Sequence, residues 1–184
     1  RQIPKEIKDM RDEIVLDLET QNSFAEVGGR TNLDRLKVSV CGIYSYQKNE
    51  FLIFKENQLS NLENILRDAD RLIGFNIKAF DLPVLQPYMS MDLNRINCLD
   101  LLEEVRKVCG RRISLDRIAQ ATFGTGKIAH GLDAIRFFRE GRFDLLERYC
   151  LDDVRLTKEL YEHGRHFGRV FIGDNRRYPV IVEW

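Results

Sequence analysis

Four carboxylates and one phenol occur along the chain at spacings that could build one chemical site. Asp17 and Glu19 lie two residues apart in the apolar run IVLDLET, so a β-strand projects both side chains from one face. Tyr149 and Asp153 lie four apart in YCLDDV, so a helix brings them onto one face too, and Asp81 lies between these segments in GFNIKAFDLPVL. Carboxylates gathered at one point repel one another unless hard divalent cations such as Mg²⁺ or Mn²⁺ lie between them. A two-metal site that hydrolyses phosphodiesters is built in this way.

Taken singly, each of these residues also has a purely structural interpretation. Helical carboxylates are usually solvated, and a tyrosine usually lies in the core or at its rim. Asp81 precedes Pro83 and fits the first turn of a helix, where the macrodipole favours an acid. Asp17 and Glu19 are harder to explain away, because a buried strand makes unpaired carboxylates costly and metal ions are a natural remedy.

In order and spacing, the three segments resemble the three exonuclease motifs of the DEDDy 3′-to-5′ exonucleases. The likeness is closest to the proofreading domain of family B DNA polymerases, and it extends to other members of the ribonuclease H-like superfamily. The motifs read DLET at residues 17–20, GFNIKAFDLP at 74–83 and YCLDD at 149–153. Phe75 departs from the tyrosine usual in the second motif, a change that removes a hydroxyl and should not affect metal binding.

The resemblance implies an α/β, ribonuclease H-like fold with a five-stranded mixed sheet flanked by helices. It also implies that two divalent metal ions, Mg²⁺ or Mn²⁺, are held by Asp17, Glu19, Asp81 and Asp153. Asp17 would bridge both ions, Glu19 and Asp153 would complete the nucleophile-side site, and Asp81 would support the second ion through bound water. Tyr149 would orient the attacking water. These five residues form the expected catalytic set.

Four further residues are candidates for contact with the terminal nucleotides of a strand. Asn76 and Phe80 match positions that lie near the substrate in the family, although burial in the core explains Phe80 about as well. Leu18 and Thr20 flank the metal-binding strand, although strand propensity alone explains both. Asp100 is excluded as a ligand, because it follows a strand and precedes an apolar helix, where a helix N-cap is expected.

Hydrophobic periodicity and capping signals predict the elements that carry these residues. We expect strands at about 13–20, 36–46, 50–55, 71–76 and 95–99, and a capping box at Ser60 and Glu63 that opens a helix running to about 69. Further helices are expected from Asp81, then at about 100–109, 115–123 and 132–140, and at 143–163 with a stop at Gly164. The segment YPVIV could add one more strand.

Length and composition predict a single domain over residues 1–184, with a core at about 13–164 and a C-terminal extension at 165–184. The chain is 43% hydrophobic and 32% charged, which is ordinary for a soluble globular protein. Four cysteines without a CxxC pair predict reduced thiols and a cytoplasmic or other intracellular location. Because the sequence begins at Arg1, without Met or a signal-like apolar stretch, we expect a domain excised from a longer chain or a processed product.

The formal net charge is zero, which argues against a surface that is basic throughout. Local basic clusters could follow a phosphate backbone, although such runs are more often solvated faces. The clusters are Arg106-Lys107, Arg111-Arg112, Arg136-Arg139-Arg142 and Arg176-Arg177.

Three functions from different classes fit the sequence. The first is a 3′-to-5′ exonuclease that releases nucleoside monophosphates from single-stranded nucleic acid, with DNA favoured over RNA, alone or with a fused or associated helicase or polymerase. The second is a nucleic-acid-binding or assembly domain of such a larger protein; the loss of one acid would have favoured it, whereas all four are present. The third, a phosphohydrolase with Asp17 as covalent nucleophile, would not need the second and third motifs.

Overall fold

The computed structural model describes residues 12–124, 131–174 and 177–184. Its central element is the strand β1 (Asp12–Thr20), which pairs antiparallel with β2 (Val38–Ser45) and parallel with β4 (Ala69–Gly74). β3 (Glu50–Lys55) pairs antiparallel with β2, and β5 (Asn97–Asp100) pairs parallel with β4, which gives the order β3-β2-β1-β4-β5. The five-stranded mixed sheet predicted from the sequence is confirmed.

Helices cover both faces of this sheet. The helices are α1 (Leu59–Leu66), α2 (Asp81–Leu85), α3 (Leu101–Cys109), α4 (Leu115–Phe123), α5 (Gly131–Arg139) and α6 (Phe143–Phe167). Buried residues of α1 and α2 share one apolar cluster with Ile14, Leu16 and Leu18 of β1. Buried residues of α3, α4 and α6 share a second cluster with Val15 of the same strand. Successive side chains of β1 thus enter opposite layers, as the period of a strand requires.

Two helix boundaries correct the sequence-based expectations. The expected capping box is wrong, because α1 begins at Leu59, one residue before Ser60. Glu63 instead accepts backbone N–H bonds from Ser90 and Met91, each at 2.9 Å, and so anchors a distant loop. The expected stop at Gly164 is also wrong, because α6 continues to Phe167 and Gly168 caps it in the left-handed conformation, with φ of 63°.

Gly164 is required for packing rather than for helix termination. A Cβ atom there would lie 2.3 Å from the indole nitrogen of Trp184, whose N–H donates to the carbonyl of Tyr161 at 2.9 Å. The extension therefore packs back on α6. Within it, β7 (Tyr178–Ile181) confirms the strand predicted at YPVIV, but it pairs with a strand that the sequence did not indicate, β6 (Arg169–Ile172), in a separate two-stranded sheet.

Among the described residues, no helix combines the length and the apolar composition that a membrane crossing requires.

Candidate metal and nucleic-acid site

The backbone of β1 gives Asp17 and Glu19 a common direction. Leu16 and Leu18 are buried in the cluster beneath α1 and α2, so the residues that alternate with them face the layer that contains α6. Both acids are half-buried on that side. The alternation read from the sequence therefore places both side chains where helix residues can meet them.

Helix α6 approaches the sheet closely at one glycine. Gly42 of β2 pairs directly with Asp17, and a Cβ atom at this position would lie 3.0 Å from the Sγ atom of Cys150. The Cys150 thiol also lies 3.5 Å from the backbone oxygen of Asp17, a distance that fits a weak S–H donor. Because residue 42 lacks a side chain, the helix turn that carries Tyr149 and Asp153 can lie directly over Asp17.

Three carboxylates meet where this strand and this helix face each other. Asp17, Glu19 and Asp153 each offer an oxygen atom, and these atoms all lie within 4.8 Å of one another. Asp153 is buried, with 4% of its surface exposed. An all-oxygen donor set of this charge suits the hard cations Mg²⁺ and Mn²⁺, and a cation between the three would offset their mutual repulsion. The residues therefore fit the metal ions that the sequence predicts.

Asp81 joins the site through the backbone of β1 rather than as a member of this cluster. The paired register of β1 and β4 ends at Val15 and Ile73, so the later part of β1 has an edge that β4 does not cover. There the backbone N–H of Leu18 donates to Oδ1 of Asp81 at 3.1 Å. This bond fixes the Asp81 carboxyl at the backbone of Leu18, the residue between Asp17 and Glu19.

Asp81 is 3% exposed, and its pKa is raised to about 8, with this burial as the largest cause. The hydrogen bond from Leu18 opposes the rise, and the nearby charges of Asp100 and Asp153 contribute to it. A bound cation would lower it, because positive charge favours the ionised carboxylate. The protonation state of Asp81 is therefore linked to occupation of the metal site.

The loop that leads to Asp81 is held by Asp100. This carboxylate is 1% exposed and caps α3, accepting from Leu102 at 3.0 Å and from Glu103 at 3.4 Å, as predicted for an N-cap. The same carboxylate accepts from the backbone N–H groups of Asn76, at 2.8 Å, and Lys78, at 3.2 Å. Asp100 therefore ties the second motif to β5 and α3.

The loop conformation explains two residue types in the second motif. Asn76 has φ of 67°, a left-handed conformation that asparagine tolerates better than most residues. Gly74 has no room for a side chain, because a Cβ atom would lie 2.5 Å from Cβ of Ile77. The turn between β4 and α2 is thus specified by local sterics as well as by Asp100.

Tyr149 is 7% exposed and packs against α5 and β2 in a third apolar cluster. Burial raises its pKa well above the usual value near 10, and the negative charges of Glu19, Asp153, Asp17 and Asp133 raise it further. The phenol therefore stays protonated at neutral pH and can donate a hydrogen bond next to the three carboxylates.

The four candidate nucleotide-contact residues lie in different settings. Asn76 lines a cleft that also contains Asp17 and Asp153. Phe80 is half-buried and meets the ring of Phe24 edge-on, with ring centroids 5.7 Å apart. The Leu18 side chain is 3% exposed within the core, and the Thr20 hydroxyl donates to the carbonyl of Asn22 at 2.9 Å. Contact of these four residues with a nucleotide stays a prediction.

The sequence does not reveal the role of Gly42 or the second pair of hydrogen bonds to Asp100. Nothing in the local pattern marks Gly42 as a close approach, because the crowding atoms come from α6, more than 100 residues later. For Asp100 the N-cap signal was present in the sequence, but it gave no information on which loop shares the carboxylate.

Comparisons with known proteins agree with this architecture. A family model described as the RNase_H superfamily matches residues 15–164, which cover the whole five-stranded sheet after its first few residues and end within α6. Nucleases of this superfamily typically use divalent metal ions, which agrees with the acidic cluster. A comparison with curated proteins gave no significant match.

Proposed function

The chain belongs to the RNase_H superfamily, and from this premise we propose that it is a metal-dependent 3′-to-5′ exonuclease. Its substrate is the 3′ end of single-stranded nucleic acid, and its products are nucleoside monophosphates. One observation carries the proposal: carboxylate oxygens of Asp17, Glu19 and Asp153 lie within 4.8 Å of one another. Asp153 belongs to α6, the helix that also bears Tyr149.

Each residue has a distinct task in this proposal. Asp17 would hold both of the proposed divalent cations, Glu19 and Asp153 would complete the site on the side of the attacking water, and Asp81 would support a cation through bound water. Bound there, the cations would supply an activated water and stabilise the leaving oxygen. The Tyr149 hydroxyl, which stays protonated because it is buried, donates a hydrogen bond that orients the attacking water towards the terminal phosphate.

We further propose that DNA is preferred to RNA, because the three motifs are most similar to those of proofreading domains. The same similarity supports a fused or associated helicase or polymerase as partner. Recognition through the backbone and through base stacking at a free end carries little base information, so we expect little sequence preference.

Purified protein incubated with 5′-labelled single-stranded DNA and RNA of identical sequence tests the proposal. With Mg²⁺ or Mn²⁺ we expect a ladder that shortens from the 3′ end, is abolished by EDTA and by Asp17→Ala, and is weakened by Tyr149→Phe. If folded protein leaves both strands intact with both metals, the exonuclease is refuted and a binding or assembly domain takes its place.

A further inference from the structure

A cleft of about 690 Å³ opens beside the three carboxylates. Asp17 and Asp153 line it together with Phe75 and Asn76 of the second motif. The rest of the lining consists of residues 112–117, which connect α3 to the first turn of α4. The volume falls within the range of about 300–1,000 Å³ typical of ligand sites. The cleft therefore offers a strand a surface that adjoins Asp17.

Two arginines, Arg112 and Arg117, line this cleft, and both are exposed. Within the described part of the chain, Arg112 forms no ion pair. Arg117 has its Nε atom 4.0 Å from Asp174, at the outer limit of such a contact. Exposed pairs of this kind contribute little, so both guanidinium groups can exchange their present surroundings for a phosphate.

The charge of the cleft changes sign when cations bind. Asp17, Asp153 and Asp116 line it together with the two arginines, so without metal it carries more negative than positive charge. Divalent cations at Asp17 and Asp153 offset those two carboxylates, which leaves two guanidinium groups against Asp116. The cleft then attracts a phosphodiester backbone, and guanidinium suits phosphate oxygens because it donates two parallel hydrogen bonds.

The basic cluster on α5, which contains Arg136 and Arg139, is an alternative place for a strand, but both arginines already pair with carboxylates. Arg136 lies 2.9 Å from Asp133, and Arg139 lies 2.6 Å from Glu26. These arginines line a different depression, which contains Ser23 and Glu140 and none of the three clustered carboxylates. Exposed pairs of this kind are weak, but the depression does not contain the carboxylates that would hold the metal ions, so the α5 cluster is the less suitable place for a strand that must reach them.

We propose that Arg112 and Arg117 bind the backbone phosphates of the substrate strand immediately upstream of the scissile bond. The proposal rests on the exonuclease function, because removal of a 3′-terminal nucleotide leaves every other phosphate on the 5′ side of the reacting one. Phe75 supplies an aromatic wall of the same cleft on which a base can stack.

The test compares the double variant Arg112→Gln/Arg117→Gln with Arg136→Gln/Arg139→Gln, which removes the same charge from the competing cluster. Two substrates are used: a single-stranded 12-mer, and thymidine 5′-(4-nitrophenyl phosphate), which has one phosphodiester and no upstream phosphate. For the 12-mer we expect the cleft variant to raise KM about tenfold or more, with kcat little changed, and the α5 variant to change KM less than about twofold. This rise in KM should be confined to the 12-mer.

Fluorescence anisotropy of the labelled strand, measured with Ca²⁺ at several salt concentrations, gives a second readout. For the cleft variant, the slope of log affinity against log salt should fall by about 1 to 2, because one phosphate contact is lost per arginine. The proposal is overturned if the cleft variant leaves KM and the slope unchanged, or if both double variants change them equally. It is also overturned if the cleft variant is equally impaired on the small substrate, because the arginines would then act on the chemistry.

Failure of the exonuclease proposal would look different. In that case the wild-type protein hydrolyses neither substrate, and the anisotropy comparison alone decides whether the cleft holds a strand.

Discussion

Asp17, Glu19, Tyr149 and Asp153 stand on a nine-residue strand and a 25-residue helix, whereas Asp81 stands on a five-residue helix reached through a loop. In the first region, regular periodicity and the close contact at Gly42 determine the geometry. In the second, four backbone N–H groups bound to Asp100 and one bound to Asp81 do so. The strand and helix carry three of the four proposed metal ligands, while hydrogen bonds decide where the fourth carboxylate lies.

The largest expected effect separates two neighbouring acids on α6. Asp153→Asn should lower kcat about 1,000-fold or more, because it removes a metal ligand. It should also raise the melting temperature of the metal-free protein by a few degrees, about 2–4 °C per kcal/mol, because it relieves repulsion with Asp17 and Glu19. Asp152→Asn is the matched control, since Asp152 pairs with Arg155 at 2.6 Å and lies on another helix face. Comparable losses of kcat in both variants would contradict the assignment.

The phenol should contribute next. Tyr149→Phe keeps the buried ring and removes the hydroxyl, so we expect kcat to fall about 100-fold while Mn²⁺ affinity changes less than about threefold. Single-turnover rates and Mn²⁺ titration measure the two quantities. A parallel loss of metal affinity would mean that Tyr149 shapes the metal site rather than the path of the water.

The loop region can be weakened separately through Asp100. Asp100→Asn leaves one carbonyl oxygen where a carboxylate served four N–H groups, so Asn76 and Lys78 lose part of their anchor and Asp81 shifts. We expect kcat to fall about tenfold, the size of effect seen for residues that orient metal ligands. Asp92→Asn, which alters the cap of a short 3₁₀ turn at Leu93–Arg95, controls for capping alone and should leave kcat unchanged. If both variants lower kcat equally, Asp100 acts only as a helix cap.

The smallest effect concerns pH and stability. The pKa of Asp81 is about 8 in the folded protein against about 4 when unfolded, so the folded state binds more protons between these values. The free energy of unfolding without metal should therefore fall as pH rises from 4 to 8. Mn²⁺ at about 100 times its Kd should raise the melting temperature by about 5–10 °C at pH 8 and by less at pH 5.

Asp81→Asn provides the matched control for this experiment. It should flatten the pH dependence of the metal-free melting temperature, which calorimetry measures. A wild-type melting temperature that rises steadily from pH 4 to pH 8 would show that other groups dominate the linkage.

The sequence predicted the regions that depend on local periodicity. The alternation around Asp17 and the four-residue spacing of Tyr149 and Asp153 were sufficient to place each pair of side chains on one face of its own element, and Ser114 and Gly124 bounded α4 correctly. These signals work because neighbours along the chain determine them.

Features that depend on distant parts of the chain could not be predicted in this way. Gly164 reads as a helix stop, but Trp184 packs against it, and the helix ends three residues later, at Phe167. Glu63 reads as half of a capping box, but its partners are the backbone groups of residues 90–91. Asp100 reads as a cap, and only the folded sheet places Asn76 and Lys78 within its reach. In each case a tertiary contact overrides or extends a valid local signal.

A crystal structure of the protein soaked in Mn²⁺, with anomalous scattering used to locate the ions, tests the central claim most directly. The account predicts two Mn²⁺ peaks about 4 Å apart, with Asp17 a ligand of both and with Glu19 and Asp153 ligands of one. Peaks elsewhere, or none within ligand distance of these three carboxylates, would contradict it.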